Sequence, residues 1–175
     1  MRFTDFLKAT VFLTAAEATA LGAVTVLAAA ARDDTLTIYF SLVWWTIAAA
    51  AGAWLGRSSK PSARISNLLA SARTSLALPQ VQPAAVLVNR LWPLGASALL
   101  AAGLSWLYPQ VAAVATGYAI LISLAWRKQE AAVTAIEERD GVRFYVVPSS
   151  PFRGMTLGRT PGYRHPSGNG SGPLD

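Results

Sequence analysis

Long uncharged stretches constrain the fold of this 175-residue chain more than any other feature. Apart from one glutamate, Glu17, they contain no charged residue at all. They lie between Lys8 and Arg32, between Asp34 and Arg57, and between Arg90 and Arg127. A helix on the surface of a soluble protein needs a polar face toward water, and these stretches have none. They therefore predict helices that are surrounded by lipid.

The lengths of these stretches predict an all-α membrane protein with four transmembrane helices. A span needs about 20 apolar residues, which gives one span at residues 9–31 and a second at 36–55. A single helix over residues 91–126 would be about 54 Å long, which exceeds the bilayer. Because proline suits the first turn of a helix but not its interior, Pro109 indicates a hairpin between spans at residues 91–108 and 110–126.

The basic residues predict the orientation. Fourteen of the 15 lysines and arginines flank the spans on one side, and only Arg32 falls on the other. The positive-inside rule then places both ends of the chain in the cytoplasm. The same rule accounts for the net charge of +6 without a nucleic-acid partner.

A cleaved signal peptide is the alternative interpretation of the first span. The alanines just before Arg32 resemble a small-residue cleavage site. Against cleavage, Asp5 falls in the region that is typically basic in a signal peptide, and Glu17 falls in the region that is typically purely apolar. The apolar stretch is also longer than a signal peptide requires. We therefore expect a retained span, while cleavage would leave three.

Two further patterns concern the second span and the loop at residues 56–85. The loop residues Ile65, Leu68, Leu69, Ala72 and Leu76 share one face of a helix, which predicts a short amphipathic helix on the headgroup surface. In the second span, a G-x-x-x-G pair permits close helix packing, either within the chain or in a homo-oligomer. The pair is Gly52 and Gly56.

The segment at residues 129–165 is predicted to be a cytoplasmic tail with a helix followed by a strand. Helical periodicity, with charged residues such as Glu137 and Glu138 toward water, stops at Gly141. Residues 142–147 then alternate as a strand does, and need a partner at residues 153–157 or on another protein. The candidate partner-binding residues of this strand are Arg143, Phe144 and Tyr145. Residues 166–175 are predicted to be disordered.

The tail also carries a resemblance. Residues 138–146 read Glu-Arg-Asp-Gly-Val-Arg-Phe-Tyr-Val, and are followed by Ser150-Pro151-Phe152 and by Arg159-Thr160-Pro161-Gly162. This pattern resembles the C-terminal signature of uncharacterised small four-span membrane proteins of high-GC Gram-positive bacteria. The resemblance covers about the last quarter of the chain. It implies a bacterial plasma-membrane protein and no particular activity.

The sequence offers little chemistry. It contains no cysteine and a single histidine, His165, in a tail rich in glycine and proline. We therefore expect no catalytic, cofactor-binding or metal site and no enzymatic activity. The favoured function is a non-catalytic accessory, scaffold or regulatory membrane component. Its partners would be lipids and another copy of the chain or a membrane-complex protein.

The alternative function is a small proton-coupled transporter that uses Glu17. This residue lies near the middle of the first span, where a charged group is costly and often functional. Thr14 and Thr10 share its helix face, which gives the span a polar side. The simpler interpretation is a neutral acid that forms one interhelical hydrogen bond, and we favour it over proton coupling.

Overall fold

The computed structural model describes residues 1–58, 61–74, 83–147 and 155–161. Within these ranges the chain forms four long helices, α1 (Phe3–Ala30), α2 (Thr35–Leu55), α4 (Pro83–Leu104) and α5 (Pro109–Trp126). The shorter elements are α3 (Ala63–Ala70), α6 (Gln129–Asp140), β1 (Arg73–Thr74), β2 (Val142–Val147) and β3 (Thr156–Pro161). The four long helices have the length and apolar character needed to cross a membrane. The predicted fold class, a multi-pass helical membrane protein, is confirmed.

Helix α5 is the centre of the bundle and packs against both α1 and α2, with α4 against α1 and α5. It runs antiparallel to α1. A Cβ at Gly22 would lie 3.6 Å from the Thr116 side chain, and the Ser123 hydroxyl donates to the Val11 carbonyl at 3.5 Å. Helix α2 runs parallel to α5, as expected for the second and fourth of four successive spans that alternate in direction.

The contact between α2 and α5 depends on glycines and tryptophans. The Trp44 and Trp45 indoles donate to the Val114 and Ala113 carbonyls of α5, at 3.2 and 2.9 Å. A Cβ at Gly117 would overlap the Trp44 indole. Glycine therefore provides the space in which this large side chain crosses the neighbouring helix.

The G-x-x-x-G pair packs within the chain. A Cβ at Gly52 would lie 2.8 Å from the Leu121 carbonyl oxygen, and one at Gly56 would overlap the Leu124 carbonyl. Because backbone atoms cannot retreat as a flexible side chain can, both positions need glycine for this approach. The structure uses the pair for packing of α2 on α5 within the chain, and its use in a homo-oligomer stays a prediction.

At the end of the bundle that holds the two tight turns, polar side chains satisfy backbone groups at the ends of the helices. Pro109 opens α5, as predicted, and Arg32 donates to the Trp106 and Leu107 carbonyls at the end of α4, which have no helical partner. Asp34 caps α2 and accepts hydrogen bonds from Thr37 N and Oγ1 at 3.0 and 2.6 Å. These hydrogen bonds hold the pKa of Asp34 below its usual value.

Four helix ends differ from the sequence prediction by about a turn or more. Helix α1 begins at Phe3, six residues before residue 9, and α4 runs from Pro83 to Leu104, where residues 91–108 were predicted. Helix α3 ends at Ala70, so Ala72 lies beyond it, and Leu76 lies outside the described residues. The first turns of α1 extend beyond the predicted span because their apolar side chains are buried against the rest of the chain. In this region, burial within the protein and not contact with lipid determines where the helix begins.

The opposite end of the bundle carries a small mixed layer, here called the cap. It consists of residues 1–7, α3, α6 and the three strands. The strand order is β1-β3-β2, with β1 parallel and β2 antiparallel to β3. The predicted strand at residues 142–147 is confirmed, and its partner is β3, which begins at Thr156 where the prediction began at residue 153. Gly141, with a φ of 63°, ends α6 as predicted.

The cap has its own apolar core, which is contributed by segments far apart in the sequence. Phe3, Leu7, Val133 and Val146 are all at most 1% exposed. The other buried members are Phe6, Ile65, Val86, Val142, Phe144 and Leu157. The first turns of α1 thus belong to the cap as much as to the bundle.

Candidate functional site: the cap and its buried carboxylate

A buried carboxylate joins the N-terminus to the segment of α6 and β2. Glu137, on α6, is only 5% exposed. One of its oxygens accepts a hydrogen bond from Arg2 Nη2 at 2.9 Å, and the other accepts one from the backbone N–H of Phe144 at 2.9 Å. The hydrogen bond to Glu137 raises the pKa of the Arg2 guanidinium. Glu137 therefore fixes the N-terminus, α6 and β2 to one another.

The N-terminus also extends the sheet. Val146 N–H donates to the Met1 carbonyl at 3.1 Å, and Arg2 forms an antiparallel bridge with Tyr145. A more exposed ion pair, Lys8 Nζ to Glu130 Oε1 at 3.2 Å, repeats the link between α1 and α6. Part of the free edge of β2 is thus covered by the start of the chain itself.

Two further hydrogen bonds attach the cap to the loops of the bundle. The buried Gln129 accepts a hydrogen bond from the Ser62 N–H at 2.9 Å, which joins α6 to the start of α3. Lys128 Nζ donates to the Arg57 carbonyl at 3.3 Å, just past the end of α2. The cap is therefore tied to the N-terminal half of the chain at several points.

The prediction that Glu137 faces water was wrong. Its neighbour Glu138 is exposed, as predicted. Glu137 lies one turn after Val133, which is fully buried, so both belong to the same helix face. The four-residue spacing from Val133 could have indicated that Glu137 is buried. Its ion-pair partner Arg2, however, lies 135 residues away in the sequence, so the contact that stabilises the buried carboxylate could not be predicted.

The three candidate partner-binding residues of β2 separate onto two faces. Phe144 is buried in the cap core, whereas Arg143 is exposed and Tyr145 is half-buried on the outer face. Thr160 and Gly158 of β3 lie beside Arg143 and Tyr145, respectively. A partner could therefore contact Arg143 and Tyr145, while Phe144 stabilises the fold.

Glu17 and its threonines occupy different environments. Thr10 and Thr14 are buried between helices, and their hydroxyls donate to the Phe6 and Thr10 carbonyls of the same helix at 2.8 and 3.0 Å. Glu17 is half-buried. Within the described ranges its carboxyl forms no hydrogen bond or ion pair, so the expected interhelical bond is not found there. The hydroxyls of Ser97, Ser105 and Thr116 donate to their own helices instead.

No cluster of three or more histidine, cysteine, aspartate or glutamate side chains that could hold a metal occurs among the residues that the structure describes. Comparisons with protein-family models, with curated proteins and with solved structures found no match to this chain. The resemblance of the tail to small membrane proteins of high-GC Gram-positive bacteria stays a prediction. The chain is established as a multi-pass helical membrane protein with a folded cap.

Proposed function

We propose that this chain is a non-catalytic component of a bacterial plasma membrane, which presents its cap to a protein partner in the cytoplasm. One observation carries the proposal. The N-terminus, a loop and the C-terminal segment are folded together into a unit at one end of the bundle by an apolar core and by the ion pair of the buried Glu137 with Arg2. Building such a unit on a membrane anchor suits an accessory, scaffold or regulatory role.

The outer face of the hairpin of β2 and β3 is the surface that we assign to this partner. Arg143 and Tyr145 lie there, beside Thr160 and Gly158 of the neighbouring strand. Arginine and tyrosine are enriched where protein interfaces gain most of their binding energy. The positive-inside rule supports a cytoplasmic position for this face, since fourteen of the 15 basic residues belong to the same side.

Cross-linking in native membranes, followed by quantitative mass spectrometry, tests this proposal. A tagged full-length chain is compared with the double variant Arg143→Glu/Tyr145→Ala and with the control Glu138→Ala, which changes an exposed residue elsewhere on the cap. We expect the double variant to lose specific partners at least about tenfold, which corresponds to about 1.4 kcal/mol, while the control retains them. Equal capture by all three chains would contradict the assignment.

A proton-coupled transporter is the second candidate, and one observation favours it. The Glu17 carboxyl is near the middle of α1 and unpaired within the described part of the chain. Against this candidate, the nearby Thr10 and Thr14 hydroxyls are committed to carbonyls of their own helix, so they offer no ready relay for a proton. Transporters also usually place more than one polar anchor within the membrane. We therefore place the membrane component first.

A further inference from the structure

A cavity of about 340 Å³ lies at the junction of the bundle and the cap. Its walls come from four helices, with Phe6 and Leu7 on α1, Leu68 on α3, Leu94 on α4 and Trp126 on α5. The cavity is half-open, and almost all of its wall is apolar. Its volume is within the range of sites that hold small molecules, about 300 to 1,000 Å³.

Among the polar side chains that line this cavity, the guanidinium of Arg64 is available to bind a ligand. Thr10 and Thr14 reach the wall, but their hydroxyls already donate to backbone carbonyls of α1. The Ser62 hydroxyl caps α3 by accepting from the Ile65 N–H. Arg64 is exposed, and it forms no ion pair or hydrogen bond to any residue that the structure describes. The cavity is therefore an apolar chamber with a guanidinium that pairs with no residue in the described part of the chain.

The position of the cavity points to a membrane lipid. It lies where α1 and α5 enter the cap, and Trp126 of its wall is followed at once by Arg127 and Lys128. Tryptophan next to basic residues is typical of the boundary between acyl chains and headgroups. At this depth, an apolar chamber is next to lipid tails and an arginine is next to phosphates.

We propose that this cavity binds one anionic phospholipid, with part of an acyl chain in the chamber and the phosphate at Arg64. A free phosphate would leave the apolar wall unfilled, and an uncharged hydrophobic molecule would leave Arg64 unpaired. Basic residues at this level are known to attract anionic headgroups. The inference uses other residues than the partner surface at Arg143 and Tyr145, so either proposal can fail without the other.

Native mass spectrometry of the detergent-purified full-length chain tests the headgroup. Phosphatidylglycerol and phosphatidylcholine with identical acyl chains are offered in equal amounts, and we expect one retained lipid with a preference for phosphatidylglycerol. Arg64→Gln should lower that preference about fivefold, the effect of one basic residue at a membrane surface. Arg143→Gln removes an equal charge from the cap outside the cavity and should leave the preference unchanged. Equal losses in both variants would overturn the proposal.

Filling the chamber tests the acyl chain. Leu68→Trp on α3 and Leu94→Trp on α4 each narrow the cavity, and each should reduce the retained lipid at least about tenfold, whichever headgroup is offered. Thermal unfolding confirms that each variant is folded. A folded variant that still retains one lipid would overturn the proposal. If both variants unfold, the comparison of Arg64→Gln with Arg143→Gln still decides.

Discussion

In the bundle, buried hydroxyls are satisfied one turn away, whereas in the cap the buried Glu137 and Gln129 have partners in distant parts of the chain. Thr14 and Thr116 donate to carbonyls four residues earlier in their own helices. In the cap, Arg2 binds Glu137 across 135 residues, and Ser62 binds Gln129 across 67. Buried hydroxyls in the bundle are thus satisfied within their own helices, whereas the buried carboxylate and amide of the cap join segments that are far apart in the sequence. This difference predicts that each region is sensitive to a different kind of substitution.

Glu137→Ala should have the largest effect and should act on the cap alone. It leaves the Phe144 N–H buried without a partner and removes the acceptor of Arg2. Hydrogen bonds to charged groups contribute about 1.5–3 kcal/mol each, so we expect the cap to lose about 2–3 kcal/mol. Hydrogen exchange in lipid nanodiscs should show faster exchange at β2 and unchanged exchange in α5.

Glu138→Ala is the matched control for this substitution, since it changes the neighbouring residue at an exposed position. Surface substitutions of this kind usually change stability by less than about 0.5 kcal/mol. If both alanine variants exchange alike at β2, the buried carboxylate does not hold the cap together.

Gly52→Ala should have the next largest effect and should act on the bundle. Its new Cβ would lie 2.8 Å from the Leu121 carbonyl oxygen, so α2 and α5 must separate. Overpacking costs about 1–3 kcal/mol, and we expect a lower unfolding temperature of the solubilised protein. Gly103→Ala, in α4, is the control because nothing lies within 4 Å of its new Cβ. Equal unfolding temperatures for the two variants would show that α2 does not pack on α5 through Gly52.

Glu17→Gln should have a smaller effect, because the carboxyl has no hydrogen-bond partner in the described chain. We expect a change in stability of about 1 kcal/mol or less, with partner capture unchanged. Proteoliposomes with a trapped pH-sensitive dye provide the second measurement, and wild type and variant should show the same proton flux. A flux in the wild type that Glu17→Gln abolishes, while the variant remains folded, would favour the transporter.

The smallest expected effect is the pH dependence of stability that comes from Asp34, the N-terminal capping residue of α2. The pKa of Asp34 is lowered by its hydrogen bonds to Thr37. Its contribution to stability is therefore present above the unfolded pKa, about 3.9, and is lost as the pH falls through the lower folded value. The difference in unfolding temperature between wild type and Asp34→Asn should be constant above about pH 5 and should shrink below about pH 4.

The same contrast explains what the sequence could predict. The four spans follow from local composition, and the turn at Pro109 from local backbone chemistry, so both were predictable. The start of α1 was not, because Phe3 is buried in a core whose other members, such as Val133 and Val146, lie far away in the sequence. Glu137 was missed for the same reason, since its partners Arg2 and Phe144 come together only in the folded cap. The two-residue strand β1 has no periodicity to detect, and only its pairing with β3 defines it.

The account depends most on the claim that the N-terminus, α6 and the hairpin of β2 and β3 form one cap on the cytoplasmic side. Since the chain contains no cysteine, single cysteines can be introduced without background. Thr35→Cys, at the start of α2 at the opposite end of the bundle, and Glu138→Cys, on the cap, both replace exposed residues. In intact cells a membrane-impermeant maleimide should label Thr35→Cys, and it should label Glu138→Cys only after the membrane is permeabilised. Labelling of Glu138→Cys in intact cells would contradict the account.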